Sequence, residues 1–170
     1  MKHVMVDLET LGNGSNAVII AIGAVMFDHT GIGDTFYTNV SPQSCVDVGL
    51  QMDVSTVMWW MQQTEQSRSI FKKVSSPLKT ALDDFALWYP EGAALWGNGA
   101  TFDNVILANA YRAVGVEQPW AYWNDRCYRT LKNLYPHVKL ERTGVAHNAL
   151  DDAKSQALHA ARIFNATKVM

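Results

Sequence analysis

The chain has 170 residues, 48% of them hydrophobic and 18% charged, the balance of one ordinary globular domain over residues 1–170 with enough apolar material to bury a full core. A net charge of -2 argues against a protein that coats nucleic acid through bulk electrostatics, and no apolar run approaches the roughly 18 residues of a membrane span. With no signal-peptide pattern, and with Cys45 and Cys127 far apart and without metal-ligand spacing, the expected setting is the cytoplasm, without a disulfide framework or a zinc site.

The first element is the apolar run Val4-Met5-Val6, which reads as a strand ending near Asp7 and Glu9. Val18 to Phe27 reads as a long strand, Asp28 to Gly33 as turn chemistry, and Thr35 to Val40 as a third strand, so the first forty residues form a meander. Asp53 to Thr56 supplies helix-start residues ahead of Val57 to Gln63, and Pro77 opens a helical stretch through Trp88. Ala93 to Trp96 is a short buried strand stopped by Gly97-Asn98-Gly99. Thr101 is positioned to cap a helix that runs to about Val114 and ends at Gly115. A helix near Cys127 to Leu134, a loop containing Pro136 and Gly144, and a last helix from about Asn148 to Phe164 complete the chain. Strands first and then alternation with helices give an α/β sheet of mixed direction, covered on both faces.

Asp7 and Glu9 lie two residues apart, and strand alternation turns both carboxylates to one face. Side by side they repel each other, and a divalent cation is the natural reason to place them so. Alone, an Asp-x-Glu is also what a solvated strand end looks like. Asp103, in Gly-Ala-Thr-Phe-Asp-Asn, falls in the first turn of a helix, where the dipole favours a carboxylate whatever its use. In the last helix Leu150, Ala153, Ala157, Ala161 and Phe164 form the expected buried stripe, and Asp152 points away from it. Periodicity does not separate Asp152 from Asp151. His147, just ahead, is of the one residue type in the set suited to take a proton near neutral pH. Each of the five is ordinary alone, and it is their occurrence together in one chain that points to a metal site.

In order and spacing these motifs resemble those of the DEDDh family of 3'-5' exonucleases: Val-Asp-Leu-Glu-Thr near the N-terminus, an Asp opening a central helix, and His-Asn-Ala-Leu-Asp-Asp near the C-terminus. The resemblance spans the chain. The stretches Thr-Val-Met-Trp-Trp-Met-Gln-Gln and Trp-Gly-Asn-Gly-Ala-Thr-Phe-Asp-Asn look most like the subgroup of phage-type exodeoxyribonuclease VIII-like 3'-5' exonucleases and the bacterial exoribonuclease RNase AS. It implies a ribonuclease H-like fold, a three-strand antiparallel meander extended by parallel strands, and a motif register that selects Asp152. It further implies hydrolysis of phosphodiester bonds from the 3' end of DNA or RNA, releasing nucleoside 5'-monophosphates. Asp7, Glu9, Asp103 and Asp152 would hold two Mg²⁺ or Mn²⁺ ions, and His147 would act as general base. Leu8 and Thr10 are positions the family uses near the terminal nucleotide. The implied partner is a nucleic-acid 3' end and not a membrane; homodimers are frequent in the family, and no residue here fixes an interface.

Three further features bear on substrate. Arg126, Arg129 and Lys132 recur every three residues as a basic stripe or an ordinary solvated face, and Lys139 and Arg142 lie in the loop leading to His147. Gly144 gives that loop freedom to move. On a wheel, Val54, Val57, Met58 and Met61 cluster on one side and Trp59 falls nearly opposite, which makes Trp59 either a stacking platform for a base or a residue packed under a neighbouring loop or a dimer contact. The reading from another class is a catalytically weak module on the same fold that grips 3' ends without cutting, and an intact set of five residues opposes it.

Overall fold

The structure is a computed structural model and describes residues 1–167. Three antiparallel strands open it, β1 (His3–Thr10), β2 (Ile19–Asp28) and β3 (Gly31–Asn39). The β2–β3 turn is tighter than the Asp28 to Gly33 stretch expected for it. Asp28 accepts from both the amide and the hydroxyl of Thr30, and β3 already begins at Gly31. β4 (Ala94–Gly97) adds parallel to β1, and β5 (Asp125–Cys127) parallel to β4, giving the order β3-β2-β1-β4-β5. The helices are α1 (Pro42–Asp47), α2 (Val54–Met61), α3 (Glu65–Arg68), α4 (Leu78–Trp88), α5 (Asp103–Ala113), α6 (Tyr128–Leu134) and α7 (Ala149–Thr167); a 3-10 turn, Ser69–Lys72, follows α3.

Alternate side chains of β1 feed two cores. Val4, Val6 and Leu8 join Ile20, Ile22 and Ala24 of β2 beneath Leu78, Leu82 and Phe85 of α4 and Ile106, Leu107 and Tyr111 of α5. Met5, with Val25 and Phe27, meets Ala153, Ala157, Ala160 and Phe164 of α7 on the other face. Each large apolar side chain so buried contributes about 1.5–3 kcal/mol. The small residues of α7 let that helix lie close to the sheet. Among the described residues, no helix is long and apolar enough to cross a membrane.

Two glycines set where the helices land. Gly23 pairs with Asp7 across β1 and β2, and a Cβ there would run into the backbone of Ala149 and Leu150. The first turn of α7 therefore reaches the sheet beside Asp7. Gly97 does the same for α5, since a Cβ would collide with Asn104 Oδ1 and Asp103 Cβ.

Several expectations from the sequence need correction. Thr101 does not cap α5: the helix begins at Asp103 with Phe102 before it, and the Phe102 carbonyl accepts from Ile106. Asp53 does precede α2, but its carboxylate is turned away to accept the amide of Asn13. Of the stripe Val54, Val57, Met58 and Met61, Val57 packs half-buried against the core while the other three face solvent, and the buried residue of α2 is Trp60, whose Nε1 donates to the Thr10 carbonyl at 2.8 Å. Leu150 is only half-buried, because α7 buries a wider face that includes Ala149, Gln156, His159 and Ile163. Arg126 lies in β5 rather than on the helix, so the expected basic stripe is broken at its first member.

Candidate active site

β1 delivers Asp7 and Glu9 at the end of the sheet reached by the first turn of α7, and α7 delivers Asp152. Their carboxylates converge: one oxygen from each of Asp7, Glu9 and Asp152 lies within 4.8 Å of the others. They line a cleft of about 520 Å³ with Leu8, Thr10, Asn13, Ser55, Thr56, Trp59, Asn98, Arg142, His147 and Gln156 among its walls. Asp103, 3% exposed, stands behind Asp7; its Oδ1 accepts the amide of Leu8 at 3.2 Å, and its charge acts on Asp7 more than any other carboxylate does. The structure thus brings together all four acidic residues singled out in the sequence, three around one point and the fourth as their backing.

The electrostatics of the group follow from burial and mutual repulsion. Asp7 is raised well above the ordinary carboxylate range by burial first, then by Asp103, Glu9 and Asp152, against a hydrogen bond from Gln156 Nε2 at 2.8 Å. Burial, with Asp152 and Asp103 behind it, pushes Glu9 up to about 8. Asp103 is pushed up to about 7 by burial, against backbone N–H groups of Leu8, Asn98 and Asp103 and the charge of Arg129. The folded protein therefore holds these protons to higher pH than the unfolded chain, whose carboxylates titrate near 4. Their stabilisation is complete below about pH 4 and is lost as pH rises through about 7 to 8. In EDTA the melting temperature should fall between pH 5 and pH 9 by at least about 3 °C, the shift that roughly 1 kcal/mol produces in a domain of this size. A flat or rising profile across that window would remove the repulsion argument.

His147 stands at the rim in the left-handed region, φ 61°, a conformation uncommon outside glycine. Its amide donates to Asp152 Oδ2 at 3.0 Å, and its ring meets the ring of Trp59 edge-on with centroids 5.0 Å apart. Asp151, the neighbour that periodicity could not distinguish, turns away from the carboxylate group and accepts the Val145 amide at 2.9 Å, holding the loop that carries His147. Gly144 takes φ 77° in that loop, and a Cβ there would strike the Asp151 carboxylate, so the glycine serves close packing rather than free movement. Thr10 points its hydroxyl inward to the Gly12 carbonyl at 2.7 Å. Trp59 is 41% exposed and lines the cleft. Gln156 carried no signal in the sequence beyond its place one turn after Asp152; so placed, it reaches Asp7.

The donor set suits a hard divalent cation, which prefers oxygen ligands. It consists of carboxylates at its centre, and Arg142 bonds Oδ1 of Asp152 at 2.9 Å.

A mixed five-stranded sheet with acidic residues gathered from its first strand and last helix has the ribonuclease H-like fold of DEDDh 3'-5' exonucleases. The nuclease domain of 3'hExo, a DEDDh family member solved with rAMP, superposes with a TM-score of 0.63 at 19% identity, over 96% of this chain and 92% of that one. Exonuclease X, solved with 5' overhanging duplex DNA, gives 0.62 at 18% identity over 98% and 93%. An exodeoxyribonuclease of Enterobacteria phage T4 is 25% identical over a 163-residue alignment spanning 76% of this chain and 70% of the phage protein. The model of the 3'-5' exoribonuclease Rv2179c-like domain matches residues 2–164, and the chain belongs to that family.

Proposed function

We propose that the protein removes nucleotides one at a time from the 3' end of a nucleic-acid strand, with Asp7, Glu9, Asp103 and Asp152 holding two Mg²⁺ or Mn²⁺ ions and His147 as general base. The observation that carries the reading is the convergence of the Asp7, Glu9 and Asp152 carboxylates within 4.8 Å in an open cleft with His147 at its rim. When bound, the ions supply positive charge that makes a water acidic and steadies the departing oxygen. His147 takes the proton of the attacking water, the bond from phosphorus to the upstream 3' oxygen breaks, and a nucleoside 5'-monophosphate leaves. Gln156 fixes the Asp7 carboxylate, and the His147 amide and Arg142 between them fix both oxygens of Asp152. Leu8 and Thr10 border the terminal nucleotide, and Arg142 contacts the strand from the Asp152 side of the cleft.

The family description supports RNA as substrate, and the phage relative makes DNA the natural comparison. Digestion of 5'-labelled single- and double-stranded RNA and DNA with Mg²⁺, Mn²⁺ or EDTA tests the reading. The expected result is a ladder shortening from the 3' end with release of 5'-mononucleotides, abolished by EDTA. Binding without shortening under every metal condition would favour the non-cutting module.

Trp59 lines the cleft with its ring perpendicular to that of His147, and a part-exposed indole there is suited to stacking on a base. Stacking of this kind is worth about 1–3 kcal/mol and tolerates any base. Trp59→Ala should raise the KM for oligonucleotides about 10-fold, the change that 1.4 kcal/mol produces, and Trp59→Phe should recover most of it. An unchanged KM with altered elution on gel filtration would sink the stacking role and point to an interface.

A further inference from the structure

Beside the cleft, three cations from two separate segments gather, and among the described residues Arg142 alone of the three pairs with a carboxylate. Arg129, near the start of α6, donates from Nη2 to the Asn98 carbonyl at 2.5 Å, and its guanidinium lies over Gly99, where a Cβ would sit 3.3 Å from Cζ. Lys132 follows one turn later, with Nζ 5.6 Å from the centre of the Tyr128 ring. Arg142 reaches in from the loop before α7 and bonds Asp152. Burial lowers the Lys132 ammonium pKa first, and repulsion from Arg129 and Arg142 lowers it further, so both arginine charges reach the lysine. Among the described residues, neither Arg129 nor Lys132 forms an ion pair, whereas Lys72, Lys79 and Arg162 each have a carboxylate.

We propose that Arg129, Lys132 and Arg142 form a seat for the internucleotide phosphate one nucleotide upstream of the bond being cut. The inference rests on the exonuclease reading of the cleft. Three like charges that share one carboxylate, the Asp152 bonded to Arg142, are the mirror of the acidic cluster beside them: the acidic group calls for cations, and the basic group calls for an anion. Arginine is suited to this because its planar fork matches two oxygens of one phosphate, and Lys132 adds a point charge.

Position selects which phosphate. The hydroxyl and aromatic walls of the cleft, Ser55, Thr56 and Trp59, belong to α2 and are suited to a nucleoside, whereas the cations belong to α6 and the loop before α7. With the terminal nucleoside on the α2 walls and the scissile phosphate at the carboxylates, the strand leaves past Asp152 and Asn98, where Arg142 and Arg129 are fixed. The other basic side chains of this region are engaged elsewhere. Arg126 donates to the carbonyls of Trp123 and Asp125, and Lys139 to that of Pro136. The seat makes the enzyme grip a strand rather than a single nucleotide.

The test compares 5'-fluorescein single-stranded oligonucleotides that carry either a phosphodiester or an uncharged methylphosphonate at the linkage one nucleotide upstream of the scissile bond. The parent protein should cut the methylphosphonate strand about 10-fold more slowly, as loss of hydrogen bonds to a charged group requires. Arg129→Gln and Lys132→Gln, which keep their apolar stems, should each lose about 10-fold on the phosphodiester strand and converge with the parent on the methylphosphonate strand. Equal losses on both strands, or none on either, overturn the seat. Fluorescence anisotropy in EDTA adds a readout that needs no cleavage: each variant should make the dependence of log K on log salt shallower by about 0.7. Unchanged slopes also overturn it. A parent protein that binds with the expected slope but never cuts would refute the exonuclease reading and leave the seat standing.

Discussion

Asp7→Ala should lower the cleavage rate by about 10³-fold or more, while the metal-free protein melts at a higher temperature than the parent. Both halves come from the same geometry. Asp7 is the carboxylate on which Asp103, Glu9 and Asp152 all act, so its removal takes away a buried acidic group together with that repulsion. Its loss also takes a donor from the cluster within 4.8 Å that suits the metal. Charge stabilisation by a bound ion is worth several kcal/mol at the transition state, and each 1.36 kcal/mol is about tenfold in rate. Asp103→Ala should be as inactive but not more stable, because it strands the buried Leu8 amide, a loss of about 1–3 kcal/mol. Asp103→Asn keeps an acceptor for that amide and separates the two effects. Rates on a labelled oligonucleotide, with melting curves in EDTA, check both. A residual rate above roughly one hundredth of the parent, set against the expected 10³-fold loss, would show that Asp7 is not a ligand.

The parts of this molecule that were legible in its sequence are those set by local periodicity. Three strands with two-residue alternation, a long C-terminal helix with alanines on one face, and the shared face of Asp7 and Glu9 all follow from chain geometry alone. What escaped was set by tertiary partners. β5 has only three residues, and it exists because Leu95, Trp96 and Gly97 pair with it while Asp125 accepts from both Asn104 and Trp120. No run of Asp-Arg-Cys announces a strand. α2 shows the converse failure: its apolar wheel face is real, but the fold turns Val54, Met58 and Met61 outward because the indole of Trp60 has the Thr10 carbonyl to bond. α1 is marked by Ser41 and Pro42, a capping oxygen followed by a proline at the first turn, a helix-start signal carried by the sequence but absent from the elements expected of it.

In the site the same division holds. Residue types and spacing pointed to the five candidates, but how tightly they meet depends on Gly23 and Gly97, whose missing side chains let α7 and α5 reach the sheet. A glycine within a strand pattern reads as a bulge or a close approach, and only the packed structure shows which. Asp151 and Asp152 are adjacent on a helix and chemically identical, yet one holds a loop and the other faces the cleft. That distinction arises from the direction each side chain takes in the first turn, which the loop from Thr143 to His147 fixes.

His147→Gly should lower the rate by about 10² to 10⁴, the usual worth of a positioned general base, with the fold undisturbed. Glycine is the informative replacement because it adopts φ 61° without strain and empties the place of the ring, whereas alanine keeps the Cβ that the parent histidine already holds there. The loop has independent anchors: the residue 147 amide bonds Asp152, Val145 bonds Asp151, and Ser67 Oγ donates to the Ala146 carbonyl at 3.4 Å. Removing the imidazole therefore leaves its vacated place framed by Trp59 and the carboxylates rather than collapsed. Imidazole added to the medium should enter that place and restore part of the rate to His147→Gly, and it should do little for Asp7→Ala, whose defect is not a missing base. A purely structural His147 gives a different outcome: a lowered melting temperature and no response to imidazole. A loss of less than about 10-fold together with absent rescue would exclude proton transfer by this residue and return the role to solvent or to Glu9.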